Sequence, residues 1–188
     1  MKAATTLNHT GPIAAPPQVL NPLVGHTTTQ FKELMKLVEA LGPAEYTAPI
    51  PVLNGSSIAQ HVRHVIEFYV CLMAAEEGVV NYDARKRDKT LETDRNAVLA
   101  TLEALRDWMN GAVPNTPLEL HEDHSLDGSA PARMGTSLHR EMAYALDHGI
   151  HHMALIRIAV EQQHAHLALD PDFGVAPSTI RDRRKQRT

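Results

Sequence analysis

The stretch "SLHREMAYALDHGIHHMALIRIAVEQQ", residues 137–163, decides the reading of this chain. It is the longest helical pattern in the sequence, opening near Thr136 or Ser137, either of which is an N-cap residue type. On a helix each residue turns the side chain by about 100 degrees, so His148 and His152 at i, i+4 share one face and His151 lies on its edge. The same face carries Glu141 and Tyr144 upstream, and Leu155 and Ala159 downstream. A polar first half on an inward stripe requires buried partners, which a purely structural helix has little reason to demand.

The complement lies in "SIAQHVRHVIEFYVCLMAAEEG", residues 57–78, a helix opened by Ser56 or Ser57. The stripe Ile58, Val62, Val65 and Tyr69 marks its core side. His64 lies on the flanking face with Ser57, Phe68, Cys71 and Ala75, and His61 is its i, i+3 neighbour. His64 with His148 and His152 would form a three-histidine site with coordination positions left open, the pattern of catalytic metal sites. A chance His pair in a long helix, buried for structural reasons alone, is the competing reading. Glu141 could orient a ligand imidazole or act as a base near bound water; equally, it could pair with a histidine or arginine inside the fold.

Two more helices complete the pattern. One carries Phe31, Leu34, Leu37, Val38 and Leu41 and stops at Gly42-Pro43, with a firm start expected near Thr27 because Pro22 and Gly25 weaken the earlier turns. The other runs from about Thr93 to Gly111. Residues 112–135 hold three prolines and two glycines, and "LELHEDHSL" within them could form a short edge hairpin. The expected organisation is an N-terminal arm at 1–17, a helical domain at 18–165 and an irregular tail at 166–188 ending in a basic cluster. The fold class is all-α, a helical bundle with long inter-helix connections.

Composition narrows the chemistry. With 43% apolar residues and a formal charge of -4, the 188-residue chain reads as one globular domain with no attraction for nucleic acid or acidic membranes. No apolar run approaches a membrane span and the start lacks the apolar core of a secretory signal, so the cytoplasm is expected. Cys71 is alone, which excludes an intramolecular disulfide and a Cys-rich zinc site. A di-iron carboxylate centre needs Glu-x-x-His twice, and only "EQQH" at Glu161–His164 supplies it. Neither a nucleophilic triad frame nor a phosphate-binding glycine loop is present.

These pieces resemble the DinB-like (DinB/YfiT) superfamily, through "SIAQHVRHVIEF", whose eighth residue is His64, and "HGIHH", whose first and last residues are His148 and His152. The resemblance spans about residues 27–163. It implies a four-helix bundle with a divalent metal held by those three histidines, zinc, nickel or iron being equally suited to imidazole. The strings "NYDARKRD" and "FGVAPSTIR" also recur in a branch of that superfamily. Family activities include bacillithiol S-transferases and mycothiol-dependent maleylpyruvate isomerase, which use a low-molecular-weight thiol.

The resemblance therefore implies a metal-dependent enzyme of thiol-dependent transferase or hydrolase type, acting on a small-molecule substrate. In this reading His64, His148 and His152 are ligands and Glu141 and His151 stand close behind them. Tyr82, Arg85 and Arg87 form a polar rim for an anionic substrate, unless the loop that holds them is simply capped and salt-bridged. The alternative is a non-catalytic bundle whose histidines are structural or bind a stabilising metal. Dimerisation through bundle faces is compatible with either.

Overall fold

The computed structural model describes residues 20–111 and 113–187. The expected arm at 1–17 lies outside the described residues. The first helix, α1, runs Leu20–Ala40, so it begins before Thr27.

Three further long helices follow: α3 (Ile58–Met73), α5 (Arg95–Asn110) and α6 (Leu138–Gln163). Each of the four packs on two others: α3 against α6 and α5, and α1 against α5 and α6. The core between them is built from the apolar stripes, including Phe31, Leu34 and Val38 of α1, Val62, Val65 and Tyr69 of α3, Leu102 and Leu105 of α5, and Met142, Met153 and Ile156 of α6. Ser57 caps α3 in a full capping box with Gln60. Asp94 caps α5 by accepting from the Asn96 and Ala97 amides, so that helix begins at Arg95 and a separate turn, α4 (Thr90–Thr93), precedes it.

The chain is mostly helical, but it is not all-α. Strands β1 (Val79–Val80), β2 (Pro117–Asp123) and β3 (Pro131–Ser137) form one sheet in that order, β1 parallel and β3 antiparallel to β2. The expected hairpin thus exists but is longer, and its second strand feeds directly into α6. Leu118 and Leu120 alternate inward and close one end of the core, which is the period-2 pattern of a half-buried strand. The α3 helix ends at Met73, short of the expected Gly78, and a kink follows in which Glu77 takes a left-handed conformation (φ 56°).

Two segments expected to be irregular are ordered. The loop after α1 contains α2 (Pro43–Thr47), with Pro43 at its first position and the Glu45 carboxylate accepting from the Gly42 amide. Its Tyr46 is fully buried and donates to the Leu91 carbonyl at 2.9 Å. The C-terminal tail carries α7 (Pro177–Lys185) and docks on α6. There Phe173 is buried, and the Arg157 guanidinium donates to the carbonyls of Phe173, Asp170 and Pro171. Gly174 presses on the α6 backbone with φ +67°, where a Cβ would stand 2.5 Å from the Ala154 nitrogen. The "FGVAPSTIR" string is therefore the clasp that holds the tail to α6.

Candidate metal centre

The inward stripe of α6 runs through Leu138, Met142, Ala145, Gly149, Met153, Ile156 and Val160. It is one residue over from the stripe the histidines mark: Tyr144 is exposed, and His148 and His152 sit half-buried on the border of the core. Gly149 allows this rotation. A Cβ there would meet the Gln30 side chain at 2.6 Å, and Gln30 is buried, donating to the Leu146 carbonyl and accepting from the Tyr69 hydroxyl.

Across the α3–α6 contact, His64 faces both residues. The ligating atoms of His64, His148 and His152 all lie within 4.8 Å of one another. The Nε2 atoms of His64 and His148 are 2.9 Å apart, one donating and the other accepting. Behind them His61, one turn before His64, places its Nδ1 2.9 Å from the Nδ1 of His152. This leaves the other nitrogen of His152 for an ion, the arrangement by which a hydrogen bond at one ring nitrogen fixes the tautomer at the other. The i, i+3 spacing of His61 and His64 was the sequence signal for this fourth histidine.

Aromatic rings wall the cluster on one side. Phe68 stacks on His148 with centroids 4.2 Å apart, Tyr82 stacks on Phe68 at 4.6 Å, and the exposed Tyr144 lies over His148 at 5.9 Å. These rings hold the His148 plane in place and lower the local dielectric. Burial, followed by the neighbouring charges of His148, Arg85 and Arg63, pushes His64 from its ordinary 6.5 down to about 4. Burial and then His64 and His148 push His152 down to about 3. His148 is lowered by burial, His151 and Arg85, and His61 by burial and His151. All four imidazoles are thus neutral near pH 7, the protonation state from which an imidazole coordinates a metal ion.

The donor set fits a divalent ion of borderline softness: three neutral imidazoles from two rigid helices, with no thiolate among them. Cys71 is directed at the Asn81 carbonyl, 4.0 Å away, and burial pushes its thiol pKa up, as expected for a core residue. His151 is exposed and touches the site only through the edge of the His152 ring.

Among the other expected residues, hydrogen bonds and ion pairs are made with groups other than the three rings. Glu141 is fully buried, and its carboxylate accepts from Tyr82 Oη at 2.9 Å, Thr136 Oγ1 at 2.6 Å and Arg140 Nη1 at 3.2 Å. Its partners are these groups and not a ligand imidazole. Tyr82 is therefore not a rim residue; it is buried, and Phe68 and Glu141 occupy its two ends. Arg85 donates to the Tyr82 carbonyl and lies 3.4 Å from Glu67 Oε2, a buried carboxylate that Arg63 also approaches at 3.6 Å. Asn81 accepts from the Asp83 and Ala84 amides, and Arg87 is exposed in a left-handed conformation (φ 50°). The "NYDARKRD" string is the capped, salt-bridged loop, packed behind the aromatic wall. Glu161 is exposed beside Arg157, so the carboxylate of the lone Glu-x-x-His does not face the core. A cavity of about 510 Å³ lies between α1, α6 and the docked tail, but none of the three histidines lines it.

Residues 26–156 match the sequence profile of the DinB superfamily. The chain belongs to the DinB superfamily. The matched segment begins inside α1 and ends inside α6, so it contains His64, His148 and His152. Over 112 residues this DinB-superfamily chain is also 33% identical to "FK506-binding protein 5" of Rhizopus delemar, a match that covers 57% of the chain and 28% of that protein. The chain thus spans well under half the length of this curated relative. No solved structure matches it. Among the described residues, no helix is long and apolar enough to cross a membrane.

Proposed function

We propose that the four long helices are the four-helix bundle of the DinB type, and that His64, His148 and His152 bind a divalent metal ion in a metal-dependent enzyme. The observation that carries this reading is the convergence of three neutral, half-buried imidazoles on one point from two helices. Zinc, nickel and iron all suit such a set. A divalent ion held there would leave coordination positions for solvent or substrate and would lower the pKa of a thiol or water bound to it.

The chain's own residues supply the rest. His61 orients His152, Phe68 fixes the plane of His148, and Tyr144 offers an exposed ring beside the open side of the cluster. Such a site suits a small-molecule substrate and a low-molecular-weight thiol in a transferase, or water in a hydrolase. His151, exposed next to His152, is the titratable group best placed to exchange protons with solvent.

The second reading is a non-catalytic bundle in which the ion ties α3 to α6. It is favoured by the absence of the three histidines from the lining of the 510 Å³ cavity. Metal content of the untagged protein, compared with His148→Ala and His152→Ala, tests the common premise. Metal near zero in all three proteins contradicts both forms of metal binding; metal present and lost in the variants supports it. Screening thiols with electrophiles, with loss of turnover in the same variants, then separates enzyme from staple.

A further inference from the structure

A second group of ligand-bearing side chains lies away from the α3–α6 histidines, where the end of α6 meets α2. Glu45, His164 and His166 bring one ligating atom each to within 4.8 Å of one another. We propose that these three residues form a second divalent-metal site, independent of the first, with two imidazoles and one carboxylate as ligands and a solvent-facing position left open.

The local backbone builds the cluster. Glu45 is held at the start of α2, where Oε2 accepts from the Gly42 amide at 2.7 Å, so Oε1 is left for other partners. Helix α6 ends at His164 (φ -133°, ψ 49°), and a turn closed by the Leu167 amide on the His164 carbonyl brings His166 back beside it. Oε1 of Glu45 then stands 3.4 Å from Nδ1 of His164 and 3.3 Å from Nε2 of His166.

Those separations favour a shared ion over a plain ion pair. Two other Glu–His pairs in this molecule close to hydrogen-bond length, His121 with Glu119 at 2.5 Å and His124 with Glu122 at 2.8 Å. Glu45 instead sits at near-equal, longer distances from two rings. In a tetrahedral site with bonds of about 2.0–2.1 Å, neighbouring ligand atoms stand about 3.3 Å apart, so the spacing is that of atoms sharing an ion. Two imidazoles and a carboxylate suit zinc and its neighbours in the first transition row. His164 is buried and His166 is exposed, so an ion there would clamp the end of α6 to α2.

The test uses zinc alone on the untagged full chain, stripped with chelator and titrated calorimetrically. In a His148→Ala/His152→Ala background the protein is expected to bind one zinc with a rise in Tm, and adding His166→Ala is expected to abolish both. His166 projects into solvent, so its loss leaves the fold intact, which circular dichroism checks. Glu45→Gln keeps an acceptor for the Gly42 amide and is expected to weaken zinc by roughly tenfold or more. Zinc stoichiometry and Tm unchanged by His166→Ala would overturn the proposal, whatever the first site does. Failure of the α3–α6 histidines to bind would appear separately, as a wild-type stoichiometry of one that His166→Ala removes.

Discussion

The Nε2 atoms of His64 and His148 lie 2.9 Å apart although 84 positions separate them in the chain. Two rigid helices fix that approach, and the core stripes of α3 and α6 set the rotation of each. The site is therefore pre-organised by the same packing that stabilises the fold, and perturbations can be sorted by whether they act on the rings or on the packing.

His61 acts on the rings. Its Nδ1 lies 2.9 Å from Nδ1 of His152, so it orients one proposed ligand without being counted among the three. His61→Ala is expected to keep the metal stoichiometry at saturation while lowering affinity about 10–100-fold. Competition with a chromophoric chelator measures this; an unchanged affinity contradicts the orienting role.

Stability of the metal-free protein carries a pH signature. The folded-state values of about 4 for His64 and about 3 for His152 lie below the ordinary 6.5. Between about pH 6.5 and 4 the unfolded chain therefore takes up protons that the folded chain refuses, and stability falls as pH falls. Above 6.5 both states are neutral at these positions and no dependence arises. The Tm of chelator-treated protein should drop from pH 7.5 to 5, and drop less in His148→Ala/His152→Ala; an equal drop in both contradicts this assignment.

Glu141 acts on the packing. Its buried carboxylate depends on Tyr82 and Thr136 for donors. Tyr82→Phe leaves it one donor short and is expected to cost about 1–3 kcal/mol in denaturant unfolding. Metal content should not change. A loss of metal in Tyr82→Phe would instead tie Glu141 to the ligands.

Two helical glycines should respond oppositely to alanine. At Gly25 nothing stands within 4 Å of a new Cβ, so Gly25→Ala should stabilise by up to about 1 kcal/mol through helix propensity. At Gly149 the Cβ would collide with both amide atoms of Gln30 at 2.6 Å, displacing a buried side chain that holds Tyr69 and Leu146. Gly149→Ala should therefore destabilise by about 1–3 kcal/mol in spite of the propensity gain. Urea titrations of the two variants check the sign.

What could be read from the sequence was what repeats with a helical period. The stripes of α1 and α3 show at 3.6 residues, and the i, i+4 pair His148/His152 and the flanking His64 stand out beside them, whereas the inward stripe of α6 lies one residue over from the one the histidines mark. The sheet was only half legible because Leu118 and Leu120 alternate in β2, whereas "PARMGTS" of β3 is mostly exposed and shows no alternation. Helices α2, α4 and α7 are too short for a period to emerge; they depend on a cap, a buried Tyr46 or a docked Phe173. Glu141 and Tyr82 were visible as polar residues in need of partners, but only the fold shows that they partner each other. The pairing of Glu45 with His164 and His166 joins α2 to the end of α6, a contact no local spacing encodes.

One divalent ion is expected between His64, His148 and His152. Crystals of the untagged protein soaked in zinc, with diffraction recorded on both sides of the zinc absorption edge, test it most directly. An anomalous peak is expected at about 2.0–2.1 Å from one ring nitrogen of each of the three histidines. A map with no peak between those rings, from protein whose helices are otherwise in place, would contradict it.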